Sequence, residues 1–544
     1  MTSVSAAELT ILYGSQTGNA EFLAYNISQD AERAGISTEL LTLDDALSEN
    51  TLSWQRLLIV TSTHDNGHMP ENADAFWSWL QTCEAGQYAG LPYAVLAIGD
   101  SMYEDFCKAG QDFDGAFQAL GATTIQERIE CDVDFDMTAA PWVKTFLAAV
   151  PDVSPWEPDA QVLVDTETAQ QFATAAEAWR TARISSSRSL TAPGSRKQVV
   201  HYDLELPDDF EYLPGDSVEI KPRNSAKLVA EWLTAFPGIE SVRIADEQLD
   251  LREALTDRLE LRLPHIGLIN ALVSRITSSE AADRIRNLLD SGERYEIDDW
   301  LWSRDVLDIV TELGFAGTDL QAIVDVMRPV QARSYSIASC PRAAQGRLSL
   351  TVSTISYDAR GRLHLGTGTH HLDSALGQEV SVRRIVAHDF RLPEDDAPVI
   401  MIGPGVGVAP FISFLQSIEG RERKNDAWLF FGDQHRSSDW LYEHEMIRWQ
   451  EAGVLTRLSL AFSRDGDTKH YVQHEIAEQA EELRSWLARG AHIYICGDKN
   501  RMAHDVEKAL AAVLETSTSE RDGGSGSITL ESLRDAGRYA KDVY

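Results

Sequence analysis

Four stretches of the chain carry side chains whose types and spacing can do chemistry. In LYGSQTGNAE (12–21) the small hydroxyl, amide and glycine residues from Ser15 to Asn19 follow an apolar run and precede a helical one. Backbone N–H groups and short polar side chains placed there wrap an anion at a helix N-terminus. No lysine follows, so this is not a nucleoside-triphosphate loop; a plain strand-to-helix turn would not need SQTGN in sequence. RSYSIAS (333–339) and LGTGTHHL (365–372) form a second pair. Arg333 is a fixed cation suited to a pyrophosphate, Tyr335 can pack against a flat ring such as a flavin, and Ser336 can hydrogen-bond that ring where hydride arrives. Gly366, Thr367, Gly368 and Thr369 can present N–H groups to phosphate.

The third stretch is VIMIGPGVGVAPF (399–411), where Gly403 and Gly405 follow an apolar run and let a dinucleotide pyrophosphate approach the backbone. Its natural companion is the fourth, SRDGDTKHYVQ (463–473), in which Ser463, Arg464, Lys469, Tyr471 and Gln473 form a polar, cationic set. Such a set suits the 2′-phosphate of NADPH and would be wasted on NADH. Outside this context it would be an ordinary charged loop.

Positioning these groups requires strands that end at them. LTILYG, RLLIVTS and YAVLAIGD alternate with helical periodicity from Leu9 to about Val150, with Leu23, Ile27, Ala31 and Ala34 along one helix face. That alternation predicts a parallel sheet covered by helices on both faces. The ligand then sits beyond the carboxyl ends of the strands, so STHDNGHMPEN (62–72) and IGDSMYEDFC (98–107) should complete the first site, with Tyr103 offering a ring to stack on a flat heterocycle. The proline-rich PDVSPWEPDAQ reads as a linker. β-like segments follow (VVHYDLEL, DSVEIKP), then a mostly helical block over about 225–330, then more β segments (RSYSIAS, RLSLTVSTISYD). From Ala397 the alternation resumes in VIMIG, AWLFFG and HIYICG, and TSTSERDGGSGSI (516–528) reads as a surface loop. The predicted fold class is multidomain α/β, two doubly wound units bracketing a β unit that helices interrupt.

The 544 residues allow about three or four domains at ~150 residues each. Net charge is −37, and residues 1–150 alone hold 22 acidic against 5 basic residues, a balance of −17. Such a field repels nucleic acid and anionic membranes and steers a basic protein partner; a solvated acidic surface that keeps the protein soluble is the plainer reading. Five cysteines, Cys83, Cys107, Cys131, Cys340 and Cys496, stand singly. This argues for a reducing compartment and leaves no thiolate cluster for iron–sulfur chemistry, and no metal set is expected. With no signal-like start and no run approaching the ~20 apolar residues of a membrane span, a soluble, cytoplasmic protein is expected.

SQTGNAE, GDSMYEDFCKAGQDFD and ECDVDFD resemble the flavodoxin-like FMN domain of the diflavin reductase family, most closely its flavoprotein subunits of assimilatory sulfite reductase. The similarity runs over nearly the whole chain, strongest at 9–147 and 333–544. It implies an FMN domain at 1–150, a linker at 151–177, a β-barrel FAD domain at 178–395 carrying the helical insert, and an NADPH domain like that of ferredoxin–NADP reductases at 396–544. The implied FMN contacts are Ser15, Gln16, Thr17, Gly18, Asn19 and Ala20 at the phosphate, then Ser62, Thr63, His64, and Gly99, Asp100, Ser101, Tyr103, Phe106 and Cys107. Thr351, Val352, Ser353 and Tyr357 fall on the family's FAD-contact positions. Cys496 and Asp505 match nicotinamide-side positions. Tyr544 matches a C-terminal aromatic that shields the FAD ring, and Asp542 an acid that positions nicotinamide with Ser336 and Cys496.

The resemblance implies an enzyme that carries electrons from NADPH through FAD to FMN and on to a separate acceptor, the siroheme iron–sulfur hemoprotein of sulfite reductase. Two alternatives stay open. One is a reductase serving a haem monooxygenase or another redox protein. The other is a single-flavin reductase, because His64-Asp65-Asn66-Gly67-His68 stands where the family has Gly-Glu-Gly-like residues. A homo-oligomer is left open.

Overall fold

A computed structural model describes residues 7–16, 18–47, 54–63, 67–101, 105–156, 179–244, 247–277, 279–291, 294–315, 319–387, 389–422, 424–498, 502–515 and 528–543. The expectations for Thr17, His64, Tyr103 and Tyr544, for most of the 151–177 linker and for all but the last residue of the 516–528 loop lie outside the described residues. The chain forms two compact units, 1–178 with 224–331, and 179–223 with 332–544.

The first unit opens with a parallel sheet. Its strands are β1 (Leu9–Gly14), β2 (Thr38–Thr42), β3 (Leu57–Ser62), β4 (Pro92–Ile98) and β5 (Thr123–Thr124), in the order β2-β1-β3-β4-β5, and β6 (Ile129–Cys131) also pairs with β4. β3 and β4 are buried along their whole length because helices cover both faces, which is why they read as continuous apolar runs. This is the flavodoxin-like order, and its topological switch point lies between β1 and β3. The Asn19–Arg33 helix turns Leu23, Ile27 and Ala31 inward, as its periodicity predicts. Ala34 does not join them: the helix stops at Arg33, Ala34 caps it, and Gly35 takes a φ of 85°, leaving Ala34 exposed. Residues 151–156 pack on this domain, since the Trp156 ring lies 5.8 Å from Tyr88 and its indole N–H donates to the Ala89 carbonyl at 3.1 Å.

The helical insert belongs to the same unit. It has its own core around Trp232, Leu255, Leu268 and Ile309. It meets the Phe135–Ala149 helix at Asp136, whose carboxylate accepts from Arg328 at 2.6 Å and lies 3.3 Å from His265 Nδ1. Gly267 makes this approach possible, because a Cβ there would fall 2.6 Å from the Asp136 Cγ.

In the second unit, six antiparallel strands lie in the order Arg333–Ser336, Ser217–Ile220, Glu379–Ile385, Arg180–Ser189, Gln198–Glu205 and Arg347–Thr354. The Ile337–Leu350 bridge and the Ala338 N–H to Ser349 carbonyl bond join the first strand's end to the last strand, closing the sheet into a barrel. A five-stranded parallel sheet follows, ordered Arg457–Phe462, Ala427–Asp433, Val399–Ile402, His492–Gly497 and Tyr539–Val543. In chain order this is 3-2-1-4-5, the dinucleotide-binding arrangement, with its switch point between Val399–Ile402 and His492–Gly497.

Candidate functional site

At the first switch point the loop after β1 is tied to the loop after β3. The Ser15 N–H donates to Asn72 Oδ1 at 2.8 Å, the Gln16 N–H reaches Ser62 Oγ at 3.4 Å, and the Ala20 N–H bonds back to Ser15 Oγ at 3.2 Å. Gly18 stands at the helix N-cap with a φ of 85°, and nothing lies within 4 Å of where its Cβ would be. The result is an open cradle at the positive end of a 15-residue helix, which fits a phosphate. The Asn19 amide oxygen is engaged by Gln331 at 2.8 Å. Asn72 is the residue that sequence reasoning missed; it lay within the quoted loop, with nothing to separate it from its neighbours.

The third loop of this site is held from β6. Gly99 N–H donates to the Cys131 carbonyl, and Ser101 meets Asp132 through both its N–H (3.1 Å) and its hydroxyl (2.5 Å). A Cβ on Gly99 would fall 2.6 Å from the Cys107 nitrogen and 2.9 Å from the Phe106 ring, so the loop folds onto itself there. Cys107, fully buried at a φ of 56°, opens the Lys108–Ala119 helix, whose Ala109 N–H reaches the Thr63 hydroxyl at 3.2 Å. Burial, with Glu130 next in weight, pushes the Cys107 thiol up to about 12. The thiol is therefore uncharged, and Asp100 is half-buried.

The two phosphate-suited motifs of the barrel come together. Gly366 caps the Thr367–Ser374 helix, and a Cβ on Gly368 would fall 2.6 Å from the Tyr335 hydroxyl and 2.9 Å from Arg333 Cγ. The helix start, its cation and its aromatic ring therefore share one place, which fits a flavin dinucleotide. Burial raises the Tyr335 phenol to about 12, keeping it protonated. Thr369 Oγ1 accepts from the Ile355 N–H at 3.3 Å. Thr351 and Val352 are buried, and the Thr351 hydroxyl is occupied by Tyr442 at 2.6 Å, while Ser353 is half-buried. Tyr357 stacks on His364 at 5.4 Å. Thr354 Oγ1 is buried and finds no hydrogen-bond partner among the described residues.

Ser336, Cys496 and Asp542 converge. Ser336 Oγ donates to Asp542 Oδ2 at 2.7 Å, and the Cys496 thiol lies 3.7 Å from the same oxygen. Cys496 and Asp542 are register partners on adjacent parallel strands. Burial, and then the Asp542 charge, push the Cys496 thiol well above its ordinary value, so it stays neutral. The glycine loop lies on the same strand end: a Cβ on Gly407 would fall 2.2 Å from the Cys496 carbonyl. Gly407 is thus the closest approach in the loop, beyond the two glycines singled out in the sequence. Gly403 faces Phe411, while Gly405, at a φ of 59°, opens toward Lys197 and Asp433, which pair at 2.5 Å. Burial raises the Asp433 carboxyl against the pull of Lys197.

Further along this sheet, the Ser463 N–H and hydroxyl both donate to the Asp433 carbonyl (2.9 and 3.2 Å). Arg464 and Lys469 are exposed, and neither has an ion-pair partner among the described residues. Tyr471 caps the Val472–Glu478 helix and is 39% exposed, with its ring tilted against His474 at 5.9 Å. Asp505 accepts from Gln473 Nε2 at 3.3 Å, on the 463–473 side.

Family models match in the same order as these sites. The flavodoxin model covers residues 11–142, the FAD binding domain 174–371, and the oxidoreductase NAD-binding domain 401–508. The chain is 35% identical to the sulfite reductase (NADPH) flavoprotein alpha-component of Bacillus subtilis, over 99% of this chain and 89% of the relative. It is 37% identical to the protein of that name from Shewanella oneidensis (100% and 91%) and 36% identical to that of Vibrio parahaemolyticus (99% and 87%).

Proposed function

The chain belongs to the diflavin reductases, in the family of NADPH sulfite reductase flavoprotein alpha-components, and we propose that it passes electrons from NADPH through FAD and FMN to a separate siroheme iron–sulfur hemoprotein that reduces sulfite. It is an NADPH-dependent flavoprotein oxidoreductase with FMN, FAD and NADPH as its cofactors. No described helix is long and apolar enough to cross a membrane. The five cysteines stand singly in the sequence, which favours a separate protein as the acceptor that reduces sulfite.

The observation that carries this reading is the meeting of Ser336, Cys496 and Asp542 where the barrel's flavin-suited edge faces the nucleotide sheet's switch point. Bound FAD supplies acceptance of a hydride as an electron pair, and bound FMN supplies release of electrons one at a time. The protein's residues hold and polarise these groups. Arg333 and the N–H groups of 367–369, which lie together, would hold a pyrophosphate, and Tyr335 would pack the ring. The Asp542 carboxylate, oriented by the Ser336 hydroxyl, would stabilise positive charge on a nicotinamide held beside it. The neutral Cys496 thiol fills the remaining side without adding charge. Ser463, Arg464, Lys469, Tyr471 and Gln473 would receive the adenosine 2′-phosphate, and Ser15, Gln16, Gly18, Asn19 and Ala20, with Ser62, Thr63, Gly99 and Cys107, would receive FMN.

The test is direct. Protein purified and then denatured should release FMN and FAD in equal amounts. With NADPH, sulfite and a siroheme iron–sulfur hemoprotein it should form sulfide. Release of FAD alone, or failure to reduce the hemoprotein while ferricyanide is reduced normally, would refute the proposal.

A further inference from the structure

Asp216 is fully buried and ties its own turn to the connection that carries Ala387 and Arg391 and to the end of the Arg333–Ser336 strand. Its Oδ2 accepts from the Leu213 N–H at 2.8 Å, and its Oδ1 accepts from the Ala387 N–H at 3.0 Å and from the Arg391 guanidinium. Its carbonyl accepts from the Ile337 N–H at 3.0 Å, the residue after Ser336, and the neighbouring Ser217 is the register partner of Ser336. Arg391 extends the connection: Nη1 donates to the Pro214 carbonyl at 3.1 Å, and its own carbonyl accepts from the Tyr494 hydroxyl at 2.5 Å. Tyr494 lies two residues before Cys496 on the His492–Gly497 strand. The turns are pressed together, since Gly215 has a φ of 101° and a Cβ there would lie 1.9 Å from the Phe390 carbonyl oxygen.

We propose that the Asp216–Arg391 pair, with Tyr494, is a positioning element for hydride transfer. It closes a loop of contacts running from Ser336 through Asp216, Arg391 and Tyr494 to Cys496, then to Asp542 and back to Ser336. The inference rests on reading Ser336, Cys496 and Asp542 as the hydride site. A buried ion pair adds little net stability compared with apolar packing, because desolvation offsets the attraction. What this pair does hold is geometry. It fixes the strand that carries Ser336 relative to the strand that carries Cys496, where a displacement of about 1 Å costs on the order of a hundredfold in rate.

The experiment compares Tyr494→Phe and Arg391→Lys with Asp542→Asn and Ser336→Ala in the full-length, flavin-loaded protein. The readouts are FAD content, the dissociation constant of 2′,5′-ADP, and the stopped-flow rate of FAD reduction at saturating NADPH. Rates with NADPH deuterated at the transferred hydrogen give the isotope effect. The expected result is that Tyr494→Phe slows FAD reduction about three- to tenfold and Arg391→Lys slows it further, within the limit set by misplacement. FAD content and 2′,5′-ADP affinity should be unchanged, and the isotope effect should rise. A purely structural role would lower flavin content or melting temperature and leave the rate of the flavin-loaded fraction at the wild-type value, which overturns the proposal. Should Arg391→Lys fail to fold, Tyr494→Phe, which removes one hydroxyl, decides alone. Wild-type rates in Asp542→Asn and Ser336→Ala would overturn the reading of the hydride site itself. Slowed controls with an unaffected Tyr494→Phe would overturn only the positioning role.

Discussion

Ser336 and Asp542 lie 206 residues apart and share a hydrogen bond of 2.7 Å, with the serine donating. The bond needs a barrel strand and the last strand of a parallel sheet to end at the same point, and the carboxylate it orients is the one negative charge in the Ser336, Cys496 and Asp542 cluster. Asp542→Asn keeps the shape and removes the charge. Hydride transfer at saturating NADPH should fall by on the order of a hundredfold, the scale of losing one preorganised electrostatic contact. Ser336→Ala, which leaves the charge but frees its orientation, should cost less. Stopped-flow FAD reduction checks both, and an Asp542→Asn rate within twofold of wild type would remove the carboxylate from the mechanism.

Arg464 and Lys469 are exposed cations in the stretch proposed to receive the 2′-phosphate that distinguishes NADPH from NADH. A charge-assisted hydrogen bond contributes roughly 1.5–3 kcal/mol, so removing both should erode discrimination between NADPH and NADH by one or more orders of magnitude. The ratio of kcat/KM values in Arg464→Ala/Lys469→Ala is the measure. An unchanged ratio would mean that neither residue reads the phosphate.

Asn72 anchors the phosphate cradle through the Ser15 N–H. Asn72→Ala leaves that donor unsatisfied at a cost of about 1–3 kcal/mol and loosens the loop. FMN should dissociate more readily while FAD stays bound, so the FMN to FAD ratio after gel filtration should drop. An unchanged ratio would show that the cradle is held by its other bonds.

Strand-and-loop grammar made most of this architecture readable. Fully buried parallel strands are continuous apolar runs, as in LLIVTS and VIMI, and the glycine and hydroxyl loops that follow them mark their carboxyl ends. Residues that act through pairing partners were not readable. Asn72, Asp132, Asp216 and Gly407 are ordinary loop residues until a distant segment is laid against them, carrying Ser15, Ser101, Arg391 and Cys496 in turn. The contact of the Asp505 carboxylate with Gln473 joins two stretches 32 residues apart that the motifs alone kept separate. Ala34 fits a helical period that Gly35 ends one residue too early.

The junction at Asp136 should loosen in mild acid. Burial pushes the His265 imidazole below its usual value, against the pull of Asp136, so the neutral ring is the form held beside Arg328. Its contribution is complete above the unfolded value of about 6.5 and is lost as pH falls from there toward the folded value. Burial alone would raise the Asp136 carboxyl, but the His265 hydrogen bond and the Arg328 charge outweigh it and hold the carboxyl below its usual range. That part persists until pH falls through a still lower value. Hydrogen exchange over 135–149 and 266–274, corrected for intrinsic rates, should therefore quicken between pH 7 and pH 5, and His265→Gln should flatten the change. Equal protection at both pH values would contradict this.

The acidic balance of −17 in residues 1–150 sits in the domain that would meet the acceptor protein. Like charges over such a surface raise the encounter rate with a basic partner and are screened by salt, with a Debye length of ~10 Å at 0.1 M and ~3 Å at 1 M. Screening acts on association far more than on the contacts of the bound complex. Electron delivery to a protein acceptor should therefore fall several-fold from low to high salt. Hydride transfer can itself respond to salt through Arg464 and Lys469, so ferricyanide reduction, which needs no docking, is the control. The ratio of hemoprotein reduction to ferricyanide reduction isolates the docking step and should decline as salt rises. A flat ratio would mean that the carboxylates serve solvation alone, and that the acceptor recognises the FMN domain by shape rather than by charge.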